Sequence, residues 1–418
     1  MNAGDIRLLY LVFFSLELVW ETFLTFLNMR HIRKNQDHAP VEFATFIDDE
    51  TYTRSCAYNL ERSRFSALSG IFSSLVVVTL IFSGALGSLE TLFARPGLHP
   101  YLAGIFYIFA VSLALGVFSL PFSLYLQFGI ETRYGFNKMT PGLFIRDMAK
   151  GLLVSALLFT PLLWALFWFM DSAGSLWWLI AFAFTAAFQI FISLLYPLLI
   201  APLFNKFSPL EAGSLRDKIT ALAEKLAFNI QGVFVMDGSR RSGHSNAYFT
   251  GLGRFKRVVL FDTLIKSLSE EEILAVLAHE IGHEKKKHLY RMLAASLVML
   301  FAAFFIVNLL YRWQPLFAAF GFSAVSYAGI FVILSFCSGP FTFFLTPLFT
   351  SVSRRHEYAA DRYAAAAGYG EALASALLRL GKDNLANLTP HPLYSFWRYS
   401  HPTLAERIAA IKKAENAV

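Results

Sequence analysis

Seven apolar windows can be drawn along the chain, near residues 8–29, 65–90, 101–126, 151–170, 176–205, 292–311 and 323–350. Each holds about 20 residues or more, enough for a helix to cross roughly 30 Å of hydrocarbon. Polar residues collect in 206–291 and again in 351–418. The pattern predicts a mostly α integral membrane protein with a five-span region over 1–205, a polar α+β unit over 206–291, two further spans over 292–350, and a polar C-terminal part over 351–418. In the first polar stretch the runs "GVFVMDG" and "RVVLFD" are β-rich and bounded by Gly and Asp, and "SNAYFTGLG" between them alternates as an edge strand does. Ser269 followed by Glu272 is a capping-box signal for the start of a helix.

Composition sharpens this picture. Of 418 residues 56% are hydrophobic and 16% charged, with 44 Phe, far more apolar than a soluble domain of that length needs. The first window is too long for a cleaved signal peptide, lacks a small-residue cleavage site and contains Glu17 and Glu21, so it is expected to be retained. Lys and Arg number six in 30–64 and four in 127–150, against one (Arg95) in 91–100, none in 171–175 and one (Arg312) in 312–322. Basic connections face the cytoplasm, so both polar stretches are expected on that side. The asymmetry accounts for the formal charge of +7. With no recognition motif and no basic face bearing aromatic platforms, a nucleic-acid partner is not expected. Cys56, in a predicted loop, and Cys337, within a predicted span, provide neither a disulfide framework nor a thiolate metal site.

Any metal must therefore be held by His, Asp or Glu, and "LAHEIGHEKKKH" over 277–288 offers the pattern. At 3.6 residues per turn Ile273, Leu274, Leu277 and Ile281 share one arc, while His279 and His283 lie together on another side. Two imidazoles at i and i+4 can hold one Zn²⁺, with Glu280 placed to take a proton from water at the metal. No Asp or Glu occurs between Lys285 and His356, so a downstream acidic ligand must come from "SRRHEYAADRYA". There Glu357 and Asp361 stand one turn apart. One can bind the metal while the other accepts a hydrogen bond from a ligand imidazole, and spacing does not order them. His288, nine residues after His279, falls on the opposite side of a continuous helix and is not expected to be a ligand. Lys285, Lys286 and Lys287 are expected to anchor the helix end at the membrane boundary rather than to bind substrate.

"HEIGH", two spans, "SRRHEYAAD" and then "YSHPTLAERI" resemble the type I CAAX prenyl protease family over nearly the whole chain. These are seven-span zinc metallopeptidases, related to smaller quality-control membrane proteases. "SGHSNAYFTG" and "QFGIETRYGFNKMT" resemble the prenyl-protease branch in particular. The resemblance implies seven helices around a chamber and a zinc metallopeptidase domain. It implies His279, His283 and Glu357 as zinc ligands, Glu280 as general base, and Asp361 as the partner of a ligand imidazole. It also implies that His401 and Arg407 reach the site, where they would stabilise an oxyanion, and that Asn246 and Ala247 lie on a substrate-binding strand. His401-Pro402 reads equally as a helix start with Pro at its first position.

The expected partners are a peptide or protein substrate, with a prenylated C-terminal CAAX tail as one form, and the lipid bilayer. The short connection 312–322 and the absence of a retrieval signal in "KKAENAV" point to a bacterial inner membrane, with the endoplasmic reticulum as the alternative. Glu17 and Glu21, at i and i+4 inside the first window, either face a chamber or pair with neighbouring helices. Three other readings compete: membrane-protein quality control, an intramembrane protease with its motif inside a span, and a transporter or channel that would not need Glu280.

Overall fold

A computed structural model describes residues 1–94, 96–250 and 256–416. Arg95, the 251–253 end of the expected edge strand, and the last two residues of "KKAENAV" lie outside them. Among the described residues seven helices are long and apolar enough to cross a membrane: Ala3–Lys34, Asp49–Phe82, Pro100–Arg133, Pro141–Ser172, Gly174–Phe204, His288–Leu310 and Tyr327–Asp383, the last with internal breaks. Leu8, Val19, Leu75, Leu157, Val298 and Leu309 are exposed on them. So much exposed apolar surface is stable against lipid and not against water.

Helix ends depart from the apolar windows where backbone geometry overrides hydropathy. The second helix stops at Phe82, because Gly84 takes a left-handed conformation (φ 72°) and Ala85–Phe93 forms a separate short helix. Only glycine adopts that backbone freely, and an apolar run does not reveal the turn. Cys56, expected in a loop, is buried inside this second helix, which begins as far back as Asp49 with Asp48 as its cap. The fourth helix starts at Pro141, capped by Thr140, ten residues before its window. Its polar first turns grip the polar half of the molecule, where Arg241 donates to both carboxylate oxygens of Asp147 at 2.8 and 3.2 Å. The last membrane helix, Tyr327–Thr342, passes through one tight turn, Phe343–Leu345, into Thr346–Ala364. It forms a kinked rod running from the bilayer into the acidic segment.

The polar half holds a four-stranded sheet in the order β1 (Phe207–Pro209), β2 (Gly232–Met236), β4 (Arg257–Phe261), β3 (Ala247–Thr250). β2 and β4 run parallel, with Gly232 opposite Arg257, and β3 is antiparallel to β4 at the sheet's edge. One buried core lies among the spans, around Tyr107, Phe167, Trp177, Phe317 and Ile330. A second joins Val258, Leu260, Ile273, Leu277 and Ile408 to Ile32, Phe43 and Tyr52 from the first two helices and their connection.

The two branch-like segments meet at this seam. Gly243 donates its N–H to the Phe136 carbonyl at 2.9 Å, and the His244 ring stacks on Phe136 with centroids 4.2 Å apart. Glu131 accepts from the Tyr58 hydroxyl at 2.9 Å and lies 3.6 Å from His244 Nε2. The membrane loop thus buttresses the chain just before β3.

Candidate metal centre

The helix Glu270–Lys285 begins at a complete capping box. Ser269 N–H donates to Glu272 at 2.8 Å, and Glu272 N–H returns to Ser269 Oγ at 3.3 Å. Glu270, Glu271 and Glu272 in its first turn complement the helix dipole. Ile273, Leu274, Leu277 and Ile281 are buried in the core as their arc predicts. His279 and His283 project from another side, their Nε2 atoms 3.1 Å apart.

Glu357 faces both imidazoles from the helix Thr346–Ala364. Its Oε1 is 3.4 Å from His283 Nε2 and its Oε2 is 3.6 Å from His279 Nε2. One donor atom from each of the three residues lies within 4.8 Å of the others. Glu357 is buried, and its Oε2 has no hydrogen-bond donor. A buried carboxylate oxygen without a donor is costly, and a cation among these three groups relieves that cost. Two imidazole nitrogens and one carboxylate oxygen form a donor set suited to zinc with a further position open.

Asp361 stands behind His279 rather than in front of it. Its Oδ1 is 2.8 Å from His279 Nδ1, and it is fully buried. Arg407 donates to both of its oxygens, Nη2 at 2.6 Å and Nε at 2.9 Å. The pair left unordered by spacing is thus geometrically distinct, with Glu357 against both Nε2 atoms and Asp361 on the outer nitrogen of one ring. Burial disfavours a charge on His279, but the hydrogen bond it gives Asp361 and the nearby Glu357 carboxylate outweigh it and lift its pKa to about 9. Burial also pushes the Glu280 carboxyl above the usual carboxylate range, against the pull of the two imidazoles.

His401 and Arg407 both reach the site. His401 is exposed on its open side, with Nε2 3.4 Å from Glu357 Oε1. Two Arg407 nitrogens are engaged with Asp361, and Nη1 stands 3.6 Å from Glu357, so in this arrangement its charge bears on those carboxylates. His401-Pro402 does not start a helix. The helix is Leu404–Glu415, and its signal was Thr403 with Glu406, a second capping box. Asn246 is exposed, its side chain accepting from Ala247 N–H at 2.8 Å, while the Ala247 side chain is buried in register with Leu260. Ala247 can therefore offer a ligand only its backbone.

One placement differs from a straight-helix expectation. His288 is not on the opposite side of the motif helix, because that helix ends at Lys285 and Lys287 takes a left-handed conformation (φ 57°), after which His288–Leu310 begins. Lys285 reaches the Ala227 carbonyl at 2.8 Å, which ties the helix end to the polar half. In the first membrane helix, Glu21 pairs with Arg398 at 2.9 Å, and Glu17 and Glu21 both line a cavity of about 190 Å³ beside the second helix. Glu21 thus pairs with a neighbouring helix, and the cavity it shares with Glu17 lies between the first two helices and not among all seven.

Gly282 was not singled out from the sequence, yet it sets the distance between the two ligand-bearing helices. A Cβ there would stand 3.1 Å from Ala360 Cα and 3.1 Å from Tyr363 Cβ. Gly282→Val is expected to wedge Glu357 away from the imidazoles and weaken zinc binding about 10–100-fold, the range seen when support for a ligand is lost. Gly282→Ala should cost less. Zinc titration of the folded variants reads this, and unchanged affinity in the Val variant would show that the spacing does not matter.

A family profile described as "CAAX prenyl protease N-terminal, five membrane helices" matches residues 28–206, and one described as "Peptidase family M48" matches 209–415. The chain is 34% identical to the CAAX prenyl protease 1 homolog of Homo sapiens, covering 94% of this chain and 92% of the relative. It is 37% identical to CAAX prenyl protease 1 of Saccharomyces cerevisiae, covering 93% and 92%. The crystal structure of S. mikatae Ste24p superposes with a TM-score of 0.92 at 33% identity, covering 97% of this chain and 98% of that one.

Proposed function

Because this chain belongs to peptidase family M48 and is a membrane metallopeptidase related to CAAX prenyl protease 1, we propose that it hydrolyses a peptide bond near the C-terminus of prenylated, membrane-associated chains, with zinc held by His279, His283 and Glu357. The carrying observation is the convergence of two Nε2 atoms, borne by a helix that packs against the edge strand β3, on a buried carboxylate with an orphaned oxygen. Zinc, when bound, supplies Lewis acidity that makes water a nucleophile near neutral pH and polarises a carbonyl.

The remaining work falls to the chain. Glu280 accepts a proton from the attacking water and passes it to the leaving nitrogen as the C–N bond breaks, so proton and charge balance within one side chain. Asp361 takes the Nδ1 hydrogen of His279, which leaves Nε2 free for the metal, and Arg407 neutralises Asp361. His401, on the open side, donates a ring N–H toward the developing oxyanion. The edge strand β3, from Ala247 onward, pairs with an extended substrate backbone, the Asn246 carbonyl being already taken by the Phe261 N–H.

The polar half is assigned to the cytoplasmic side by the Lys and Arg excess of 30–64 and 127–150. Both segments touch that half, Phe43 through the shared core and Glu131 through His244. The short 312–322 connection supports a bacterial inner membrane, whereas the relatives named above are eukaryotic and favour the endoplasmic reticulum. Protease protection in sealed vesicles and fractionation of the source cells decide side and compartment.

Matched farnesylated and unmodified CAAX-type peptides test the substrate. Preferred cleavage of the farnesylated form is expected, at least about tenfold in kcat/KM, which burial of only two CH₂ groups at about 0.8 kcal/mol each would supply. Equal cleavage of both would shift the substrate to damaged membrane proteins. No cleavage by zinc-loaded protein would overturn the peptide assignment.

A further inference from the structure

The outer nitrogen of His279 has Asp361, and the outer nitrogen of His283 has a partner that differs in kind. His288 Nδ1 lies 3.0 Å from His283 Nδ1. Resting on the metal site proposed above, we propose that His288 is a positioning residue, accepting the Nδ1 hydrogen of His283 and thereby committing the Nε2 lone pair of His283 to the metal.

Two ring nitrogens at that distance need one proton between them. His283 Nε2 faces His279 Nε2 and Glu357, and a ligand nitrogen must carry a lone pair, so the shared proton belongs to His283 and the acceptor lone pair to His288. The two imidazoles are thus oriented differently, one by an anion and one by a neutral ring.

His288 is built for a fixed position. It is 2% exposed, and its ring stacks on His356 with centroids 4.1 Å apart and planes 13° from parallel. His356 is the residue before Glu357, so the helix bearing the third ligand also holds the acceptor for the second. In an unbroken helix His288 would sit about 140° around the axis from His283, out of reach. The left-handed backbone of Lys287 turns the chain so that the sixth membrane helix opens with His288 facing back into the site. One of the three consecutive lysines therefore acts through its backbone, apart from any charge it presents to the membrane.

Zinc affinity of the purified full chain, measured by competition with a chromophoric chelator, tests this with four variants. His288→Ala is expected to weaken binding about 10–100-fold. His288→Asn, whose Oδ1 can occupy the place of Nδ1, should recover most of the loss. Lys287→Gly, which accepts the left-handed backbone, should stay near wild type, and Lys287→Val, which resists it, should fall with His288→Ala. In Co²⁺-substituted protein the visible absorption bands should shift in His288→Ala and return in His288→Asn. Wild-type affinity in a folded His288→Ala protein overturns the inference alone. An Asn variant no better than Ala, with both proteins monodisperse, reduces His288 to packing and overturns it too. If the wild-type chain binds no zinc, the metal site and this inference fall together.

Discussion

Replacing Glu280 by Gln leaves zinc bound and removes turnover. The side chain keeps its size and its place beside the buried His279, but an amide cannot take a proton from water. The expected loss in kcat is about 10²–10⁴-fold, the range for a positioned general base, or roughly 3–5 kcal/mol of barrier. Zinc content should match the wild type, because none of the three converging donor atoms belongs to Glu280. Zinc-free Glu280→Gln protein would mean that the glutamate is a ligand, and undiminished cleavage would mean that the proton goes elsewhere.

Replacing Glu357 by Ala has the opposite signature, with zinc and activity lost together. Two imidazoles 3.1 Å apart remain, but the carboxylate facing both Nε2 atoms is gone, and Arg407, 3.6 Å from that carboxylate, loses one of its counter-charges. Asp361→Asn is the matched control. The amide can still accept a hydrogen bond from His279 Nδ1, so this variant should hold zinc with affinity reduced about 10–100-fold while Glu357→Ala holds none at micromolar zinc. If the two variants exchanged places, with Asp361→Asn metal-free and Glu357→Ala zinc-bound, Asp361 would be the third ligand.

The motif helix was legible because every level of its sequence agrees. Ser269 and Glu272 announce the start, the aliphatic arc from Ile273 to Ile281 sets the buried face, and the two histidines fall on another side. The seven spans were legible because length and hydropathy suffice to find them. What escaped depended on single backbone residues or on contacts distant in sequence. Gly84 and Lys287 both adopt left-handed geometry that composition does not reveal, and Lys287 is why the angle calculated for His288 failed. Glu357 and Asp361 share a helix and differ only in what faces them, so their separation required the motif helix and Arg407 to be in place. Gly282 is a small residue in an apolar run until the opposing Ala360 is known.

The rod that carries Glu357 out of the bilayer has a mechanical consequence. Glu357 moves with the seventh span, through Phe343–Leu345, while His279 and His283 are joined by Lys286 and Lys287 to the sixth. The donor triangle is therefore joined to two transmembrane levers across the packing of the motif helix against the helix that bears Glu357. Spans answer a thinner or thicker bilayer by tilting, at fractions of a kcal/mol per Å of mismatch, and relative tilt of these two loads the packing that sets the distance between a carboxylate and two imidazoles. The activity of such an enzyme is expected to vary with the thickness of the membrane that houses it.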